Sequence, residues 1–232
     1  MKKSIGIVGG MGPLATADLF QKIVQSTKSE GDNGHIRVFM DCNPAIPDRT
    51  AAILSGGESP VAEMQAAVRS MMACGADVLV MPCNTAHHFL PELEAITGIP
   101  FISILDATAT ACAARFPGQK AALLGTVGTY ATGIYDGPLA TAGVPYITPS
   151  DAQRETLMQV IYAVKAGADM GLLKANLVAL LANLRQSGAE YFILGCTELP
   201  VAAAALGLEG PFIDPTQELA EAAIRRCGYE VL

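Results

Sequence analysis

Apolar residues along this chain fall in short continuous runs, each bounded by glycine, proline or an acidic side chain. Eight of these runs read as buried strands, at residues 4–8, 36–41, 78–81, 101–104, 121–124, 145–147, 191–194 and 212–213, with helices between them. Alternation of strand and helix predicts mostly parallel sheets covered by helices on both faces. No low-complexity linker interrupts the pattern.

The pattern occurs twice. Gly75-Ala76-Asp77, an apolar run and Met81-Pro82-Cys83-Asn84-Thr85 are matched by Gly188-Ala189-Glu190, a second apolar run and Gly195-Cys196-Thr197-Glu198, with Cys83 and Cys196 lying 113 positions apart. The Gly-Ala-acid opening reads as a helix end and a turn into a buried strand. Two further segments repeat at similar spacing: Gly9 to Thr16 returns as Gly125 to Thr132, and Pro100-Phe101-Ile102 as Pro211-Phe212-Ile213. A two-copy repeat of this length is a duplicated domain and not a solenoid. The expected architecture is therefore two similar α/β domains related by a pseudo-twofold axis. Proline- and glycine-rich joints near residues 97–100 and 116–118 place the boundary near residue 98, giving domains 1–98 and 99–209. Each thiol would sit just past the C-terminal end of a strand, where open α/β sheets bind ligands. The active site is expected in the cleft between the domains, one thiol on each wall, a geometry suited to both faces of one carbon.

With 232 residues, 51% hydrophobic and 16% charged, the chain can bury two cores of modest size. Its net charge of −7 and lack of a basic stripe exclude nucleic acid as a partner. Apolar stretches are broken well before the roughly eighteen residues of a membrane span. The Met1-Lys2-Lys3 start with Ala15-Thr16-Ala17 imitates a signal peptide, but its apolar core is short and glycine-rich and has a counterpart in the second half. A cytoplasmic protein with reduced thiols is expected. Cys42, Cys74, Cys112 and Cys227 have no C-x-x-C partner and read as inert.

Several motifs carry chemistry. Gly9-Gly10-Met11-Gly12-Pro13 follows a strand and opens a helix, a turn whose N–H groups suit an anion. It also satisfies a relaxed dinucleotide fingerprint with Asp41 as a ribose acceptor, although a substrate carboxylate uses the same physics. Cys83 precedes a helix expected to be capped by Asn84 or Thr85, whose N-terminus favours thiolate. Cys196-Thr197-Glu198 repeats the arrangement. Cys83 and His87 have metal-ligand spacing, but only His88 and the distant His35 remain to complete a set, so no metal is expected. A Cys-His hydrolase would not need a second thiol, and His87 is better placed to orient a carboxylate or fill the pocket wall. Arg49, in the Asp48-Arg49-Thr50 segment after a rigid loop, can hold a carboxylate bidentately. Lys165 ends a helix, where a solvated cation is its plainest role.

Together these residues resemble the aspartate/glutamate racemase superfamily, and within it the aspartate racemases. The resemblance runs through Gly9-Gly10-Met11-Gly12-Pro13, Pro47-Asp48-Arg49-Thr50, Met81-Pro82-Cys83-Asn84-Thr85-Ala86-His87, Lys165 and Gly195-Cys196-Thr197-Glu198. Glutamate racemases carry Asp-Ser-Gly at the first turn and Thr-His after the second cysteine, where this chain has Gly9-Gly10-Met11 and Thr197-Glu198. Some broad-specificity relatives of aspartate racemase replace the first cysteine by threonine; this chain keeps both. The resemblance implies a homodimer, no cofactor, and a two-base mechanism on an acidic amino acid. It also implies recognition of the distal carboxylate by Arg49 and Lys165, and a last helix that returns residues 210–232 to the first domain. Cys83 and Cys196 are then the catalytic acid and base, with Met11, Asn84, Thr85, Thr126, Thr129 and Thr197 as further substrate contacts. The alternatives are a broader aspartate/glutamate racemase and a non-catalytic ligand-binding or regulatory protein on the same scaffold.

Overall fold

The computed structural model describes residues 2–232. The chain forms two compact units, one from the chain up to Ala107 together with Thr216–Leu232, the other from Thr108–Pro215. Each unit holds one four-stranded parallel sheet.

In the first unit the strands are β1 (Ile5–Gly9), β2 (Val38–Cys42), β3 (Val78–Val80) and β4 (Phe101–Ile102), ordered β2-β1-β3-β4. Helices α1 (Pro13–Ser26), α2 (Arg49–Leu54), α3 (Val61–Cys74) and α4 (Leu90–Glu94) alternate with them. Then α5 (Ile104–Arg115) leads into the second unit. There β5 (Ala121–Leu124), β6 (Tyr146–Ile147), β7 (Tyr191–Leu194) and β8 (Phe212–Ile213) are ordered β6-β5-β7-β8, the same arrangement. Their helices are α6 (Val127–Thr132), α7 (Asp136–Thr141), α8 (Asp151–Lys165), α9 (Lys174–Gln186) and α10 (Glu198–Ala205). The last helix, α11 (Pro215–Arg226), leads to a tail that bonds to the first unit, Lys28 N–H donating to the Glu230 carbonyl and Leu232 N–H to the Ser26 carbonyl. The two similar α/β sheets that the repeat predicts are present, and all eight expected strands form. Five are shifted or shortened: the first runs from Ile5 to Gly9, the second from Val38 to Cys42, the third ends at Val80, the fourth ends at Ile102 with Ile104 in α5, and the sixth starts at Tyr146.

Helical periodicity fills each core. On α3, Met64, Ala67, Val68 and Met71 recur every three or four residues and join Val8, Leu79 and Met81 from the sheet. On α8, Leu157, Val160, Ile161 and Val164 do the same against Ala122, Leu124, Phe192 and Leu194. Each fully buried aliphatic side chain contributes about 1.5–3 kcal/mol relative to exposure.

The Gly-Ala-acid turns have identical jobs. Gly75 takes a left-handed φ of 75° to end α3, and Gly188 takes 95° after α9. The acid that follows reaches the start of the adjacent central strand: Ser4 N–H donates to Asp77 Oδ2 at 2.8 Å, and Lys120 N–H to Glu190 Oε2 at 2.8 Å. The repeat is thus visible in single hydrogen bonds. Thr16 Oγ1 donates to the Gly12 carbonyl and Thr132 Oγ1 to the Gly128 carbonyl, at 2.9 and 2.8 Å.

Gly10 fixes the turn after β1. Its φ is +95°, and a Cβ there would overlap the Asn43 carbonyl. Gly10→Ala is expected to lower stability by more than about 1 kcal/mol, read as a lower denaturant midpoint. An unchanged midpoint would show that the 43–48 loop re-routes without cost.

Candidate active site

In the first unit, Cys83 lies three residues past β3 and is 8% exposed. The segment after it is a 3-10 turn, Thr85–Phe89, and not the capped α-helix expected from sequence. Asn84 has helical φ and ψ of −61° and −53°, so its side chain cannot fold back over the first N–H groups, and no side-chain cap forms. Asn84 and Thr85 are both buried.

His87 is turned to the backbone. Its Nδ1–H donates to the Cys83 carbonyl at 2.9 Å, and its Nε2 accepts from the Ile104 N–H at 3.2 Å. Both ring nitrogens are committed to backbone, which fixes a neutral ring in one tautomer. The ring therefore braces the Cys83 segment against the start of α5 and is not hydrogen-bonded to the thiol.

Arg49 opens α2, whose N-cap Asp48 accepts from Ala51 N–H at 2.8 Å. The guanidinium is buried, 8% exposed, with Nη1 donating to the carbonyls of Ile46 and Pro47 at 3.1 and 2.9 Å and Nη2 to that of Met11 at 3.4 Å. This bond ties Arg49 to the first turn, where Met11 is packed in the core. Among the described residues Arg49 has no ion-pair partner, and its buried Nε has no hydrogen-bond acceptor. Nε and Nη2 form the side edge of the guanidinium, the fork that receives a carboxylate bidentately. In the same turn Thr16 Oγ1 takes up the Gly10 N–H at 2.9 Å.

In the second unit, Cys196 lies two residues past β7 and is 7% exposed. Gly195 permits this approach: a Cβ there would sit 2.8 Å from Leu123 Cδ1 and 3.0 Å from the Leu124 carbonyl. The Cys196 thiol donates to Glu198 Oε2 at 2.9 Å, and Thr197 Oγ1 donates to the same oxygen at 3.4 Å. Burial, then the Glu198 carboxylate, push the Cys196 pKa well above the ordinary thiol value, while the Lys165 charge pulls against them. Lys165 is the last residue of α8, with Nζ 5.9 Å from the Tyr162 ring centre. Thr126 caps α6, accepting from Thr129 N–H at 3.1 Å, and the two hydroxyls bond to each other at 3.1 Å. Tyr130 OH bridges the Gly125 N–H and the Leu123 carbonyl at the end of β5, and Arg154 stacks on its ring 4.4 Å from the centre.

Among the described residues, no group of three or more histidines, cysteines, aspartates or glutamates is arranged to hold a metal ion, and no helix is long and apolar enough to cross a membrane.

The sequence profile of the Asp/Glu/Hydantoin racemase family matches residues 8–223. The chain belongs to that family. It is similar to an aspartate racemase of Picrophilus torridus, 30% identical with a TM-score of 0.86, covering 99% of this chain and 96% of that one. It is also similar to the broad specificity amino-acid racemase RacX of Bacillus subtilis, 27% identical over 95% of this chain and 96% of the relative. A glutamate racemase of Francisella tularensis, solved with D-glutamate, shares the fold at 15% identity and a TM-score of 0.66, over 97% of this chain and 81% of that one.

In this racemase-family chain two neighbours of the thiols go beyond the sequence reading. Glu198 was legible only as part of a motif, since nothing in the order Cys-Thr-Glu says that the carboxylate returns to the sulfur. Tyr130 carries no local signal, because its role depends on meeting the end of its own preceding strand. His87 gives a pH test. Burial lowers its pKa to about 4, opposed by the Cys83 carbonyl and the Asp106 charge, against about 6.5 unfolded. Between those values the unfolded chain takes up a proton that the folded chain refuses, so this group removes stability as pH falls from about 6.5 to about 4, by about 3 kcal/mol in total. The stability advantage of the parent over His87→Gln is expected to shrink through that window in denaturation measured at a series of pH values. A pH-independent difference would refute the neutral brace.

Proposed function

We propose that this chain is a cofactor-independent racemase interconverting L- and D-aspartate, with Cys83 and Cys196 as the two proton-transferring groups. The observation that carries the reading is the equivalence of the two thiols. Each is buried just past the third strand, in chain order, of a sheet with the same strand order in both units. Racemisation removes the Cα proton on one face and returns one on the other, so one sulfur serves as thiolate while its counterpart is thiol, and the roles exchange for the opposite enantiomer.

Arg49 supports an acidic substrate. A buried guanidinium with an open Nε and no carboxylate partner is costly unless an anion completes it. Lys165 is the second cation assigned to the distal carboxylate. Met11, Asn84, Thr85, Thr126, Thr129 and Thr197 are assigned to the substrate's remaining polar groups, where hydroxyl and backbone donors offset the growing charge on the α-carboxylate. The likeness to an aspartate racemase along nearly the whole chain favours aspartate. The likeness to a broad specificity racemase favours a second reading, in which other amino acids are also turned over. We assign the protein to the cytoplasm on its free cysteines, and to a homodimer on the family resemblance.

The test is racemisation of both enantiomers of aspartate, glutamate and alanine by purified protein without added cofactor, followed by polarimetry and by deuterium incorporation at Cα in D₂O. Cys83→Ser and Cys196→Ser are each expected to abolish turnover while leaving the protein folded; near-parental turnover in either removes that thiol from the mechanism. Activity should withstand chelators and hydroxylamine.

Substrate choice gives a separate prediction. Arg49→Ala and Lys165→Ala should each lower kcat/KM for aspartate by about ten- to a hundredfold, the range for a truncated charged contact. Alanine should be a poor substrate and little affected by either change. Alanine turnover equal to that of aspartate would refute distal-carboxylate recognition by this pair.

A further inference from the structure

Helix α8 carries a second stripe besides the one that packs on the sheet. Asp151, Arg154, Glu155, Met158 and Tyr162 recur every three or four residues and, together with Val127 of α6, line an open cavity of about 590 Å³ within the second unit. Arg154 is its cation. Nη1 donates to Asp151 Oδ1 at 3.1 Å, an acid whose side chain is 96% exposed, and Nη2 donates to the Thr148 hydroxyl at 3.3 Å. A pair with so solvated a carboxylate is weak. Nε is buried without an acceptor, and the guanidinium sits 4.4 Å from the Tyr130 ring centre. The Nε–Nη2 edge, the one that receives a carboxylate bidentately, is thus held by one long hydroxyl contact alone. Arg49 is the counterpart in the first unit. Each arginine stands on the first helix after the edge strand beside the central strand, β2 in one unit and β6 in the other. Each is tied to the turn that ends the central strand, Arg49 through the Met11 carbonyl and Arg154 through Tyr130, whose hydroxyl holds the Gly125 N–H. Each keeps a buried Nε without an acceptor. Lys165, not Arg154, is the cation that acts on the Cys196 thiol.

We propose that the cavity between α6 and α8 is a second binding site, taking a free α-amino acid with an apolar side chain through its carboxylate on Arg154. The wall chemistry selects this ligand. A carboxylate completes the Nε–Nη2 edge and displaces the Thr148 hydroxyl, and a charge-assisted bond is stronger than the neutral one it replaces. A bare anion would meet Asp151 and Glu155 as like charges, whereas an amino acid brings an ammonium group to them, two bonds from its carboxylate carbon. Glu155 is exposed and makes no ion pair among the described residues, so it is open to that ammonium. Val127, Met158 and the Tyr162 ring offer the ligand's side chain an apolar wall, against which a second carboxylate is costly. The site thus differs in preference from the one assigned to Arg49 and Lys165. It needs no chemistry at Cα and does not rest on the racemase reading.

The test is isothermal titration calorimetry of the purified full chain with L-leucine, 4-methylpentanoate and L-leucinamide. Leucine is expected to bind, and the two analogues, each lacking one of its charges, to bind at least about tenfold more weakly. Arg154→Met should weaken leucine by at least about tenfold, the cost of a lost charged contact. Glu155→Gln should weaken leucine but strengthen 4-methylpentanoate, and opposite shifts for two ligands of one shape are not the signature of loosened packing. Arg49→Ala, in the other unit, should bind leucine as the parent does. Leucine that does not bind, that binds Arg154→Met as tightly as the parent, or that is lost in Arg49→Ala would overturn the proposal. So would 4-methylpentanoate binding as tightly as leucine, or Glu155→Gln weakening both alike. Should Arg154→Met fail to fold, Arg154→Lys, which keeps the charge without the paired edge, is expected to weaken leucine by at least about threefold. Parental affinity there overturns the proposal equally. Leucine binding with these preferences in a protein that racemises nothing would overturn the racemase reading alone.

Discussion

Strand register is the constraint on which the placement of both thiols depends. In each unit the central strand begins at a backbone N–H held by an acid from the turn before the neighbouring strand, Ser4 by Asp77 and Lys120 by Glu190. These bonds align Ile5 with Val78 and Ala121 with Tyr191. A slip of one residue would turn every core side chain to the opposite face and carry the cysteine about 3.3 Å along the strand. The Ser4 bonds also hold the Asp77 carboxyl below its usual pKa. The pairing is therefore favoured above the ordinary carboxylate range and weakens as pH falls through the lowered pKa.

With register fixed, the polar chemistry is set by what each strand end is allowed to bury. The sheet ends place Arg49, His87, Thr126, Thr129 and Glu198 out of water, and nearly every one is held by backbone or by another side chain. Arg49 keeps one buried donor without an acceptor. Because the backbone carbonyls of Ile46, Pro47 and Met11 already fix its direction, a carboxylate bound there, as proposed, would meet a guanidinium that has little side-chain freedom left to lose. The folded chain has already met that ordering cost.

Much of this was legible in the sequence because the signals are local. Val78–Val80 and Tyr191–Leu194 are apolar runs behind a glycine turn, and such runs have few other uses in a chain of this composition. Thr126 behaves as a threonine before a helix should. Asn84 does not, because the turn after Cys83 tightens to a 3-10 helix and draws Asn84 into helical backbone angles, a choice enforced by the buried packing of Ala86, Phe89 and Leu93. Non-local facts were beyond reach. The double engagement of His87 needs Ile104, seventeen residues on, and the desolvation of Arg49 needs the carbonyl of Met11, thirty-eight residues back.

Duplication supplies two equivalent frames, yet the frames are furnished differently, and thermodynamics limits what that difference can do in a racemase. L and D enantiomers have equal free energy, so kcat/KM must be the same in both directions however unlike the two thiols are. A carboxylate beside one sulfur and a backbone-bound histidine beside its counterpart cannot favour one product at equilibrium. They can make kcat and KM differ together between directions, and they can set which protonation form of the free protein is abundant. With the Cys196 thiol held by Glu198, the abundant form carries its proton on that sulfur. If Cys196 is one of the two proton-transferring groups, as proposed, such a form would be ready to donate there and would have to give up a proton before abstracting. The asymmetry of the two half-sequences after their shared cysteine, Asn84-Thr85 in one and Thr197-Glu198 in the other, is thus an asymmetry in what holds each sulfur on a duplicated fold.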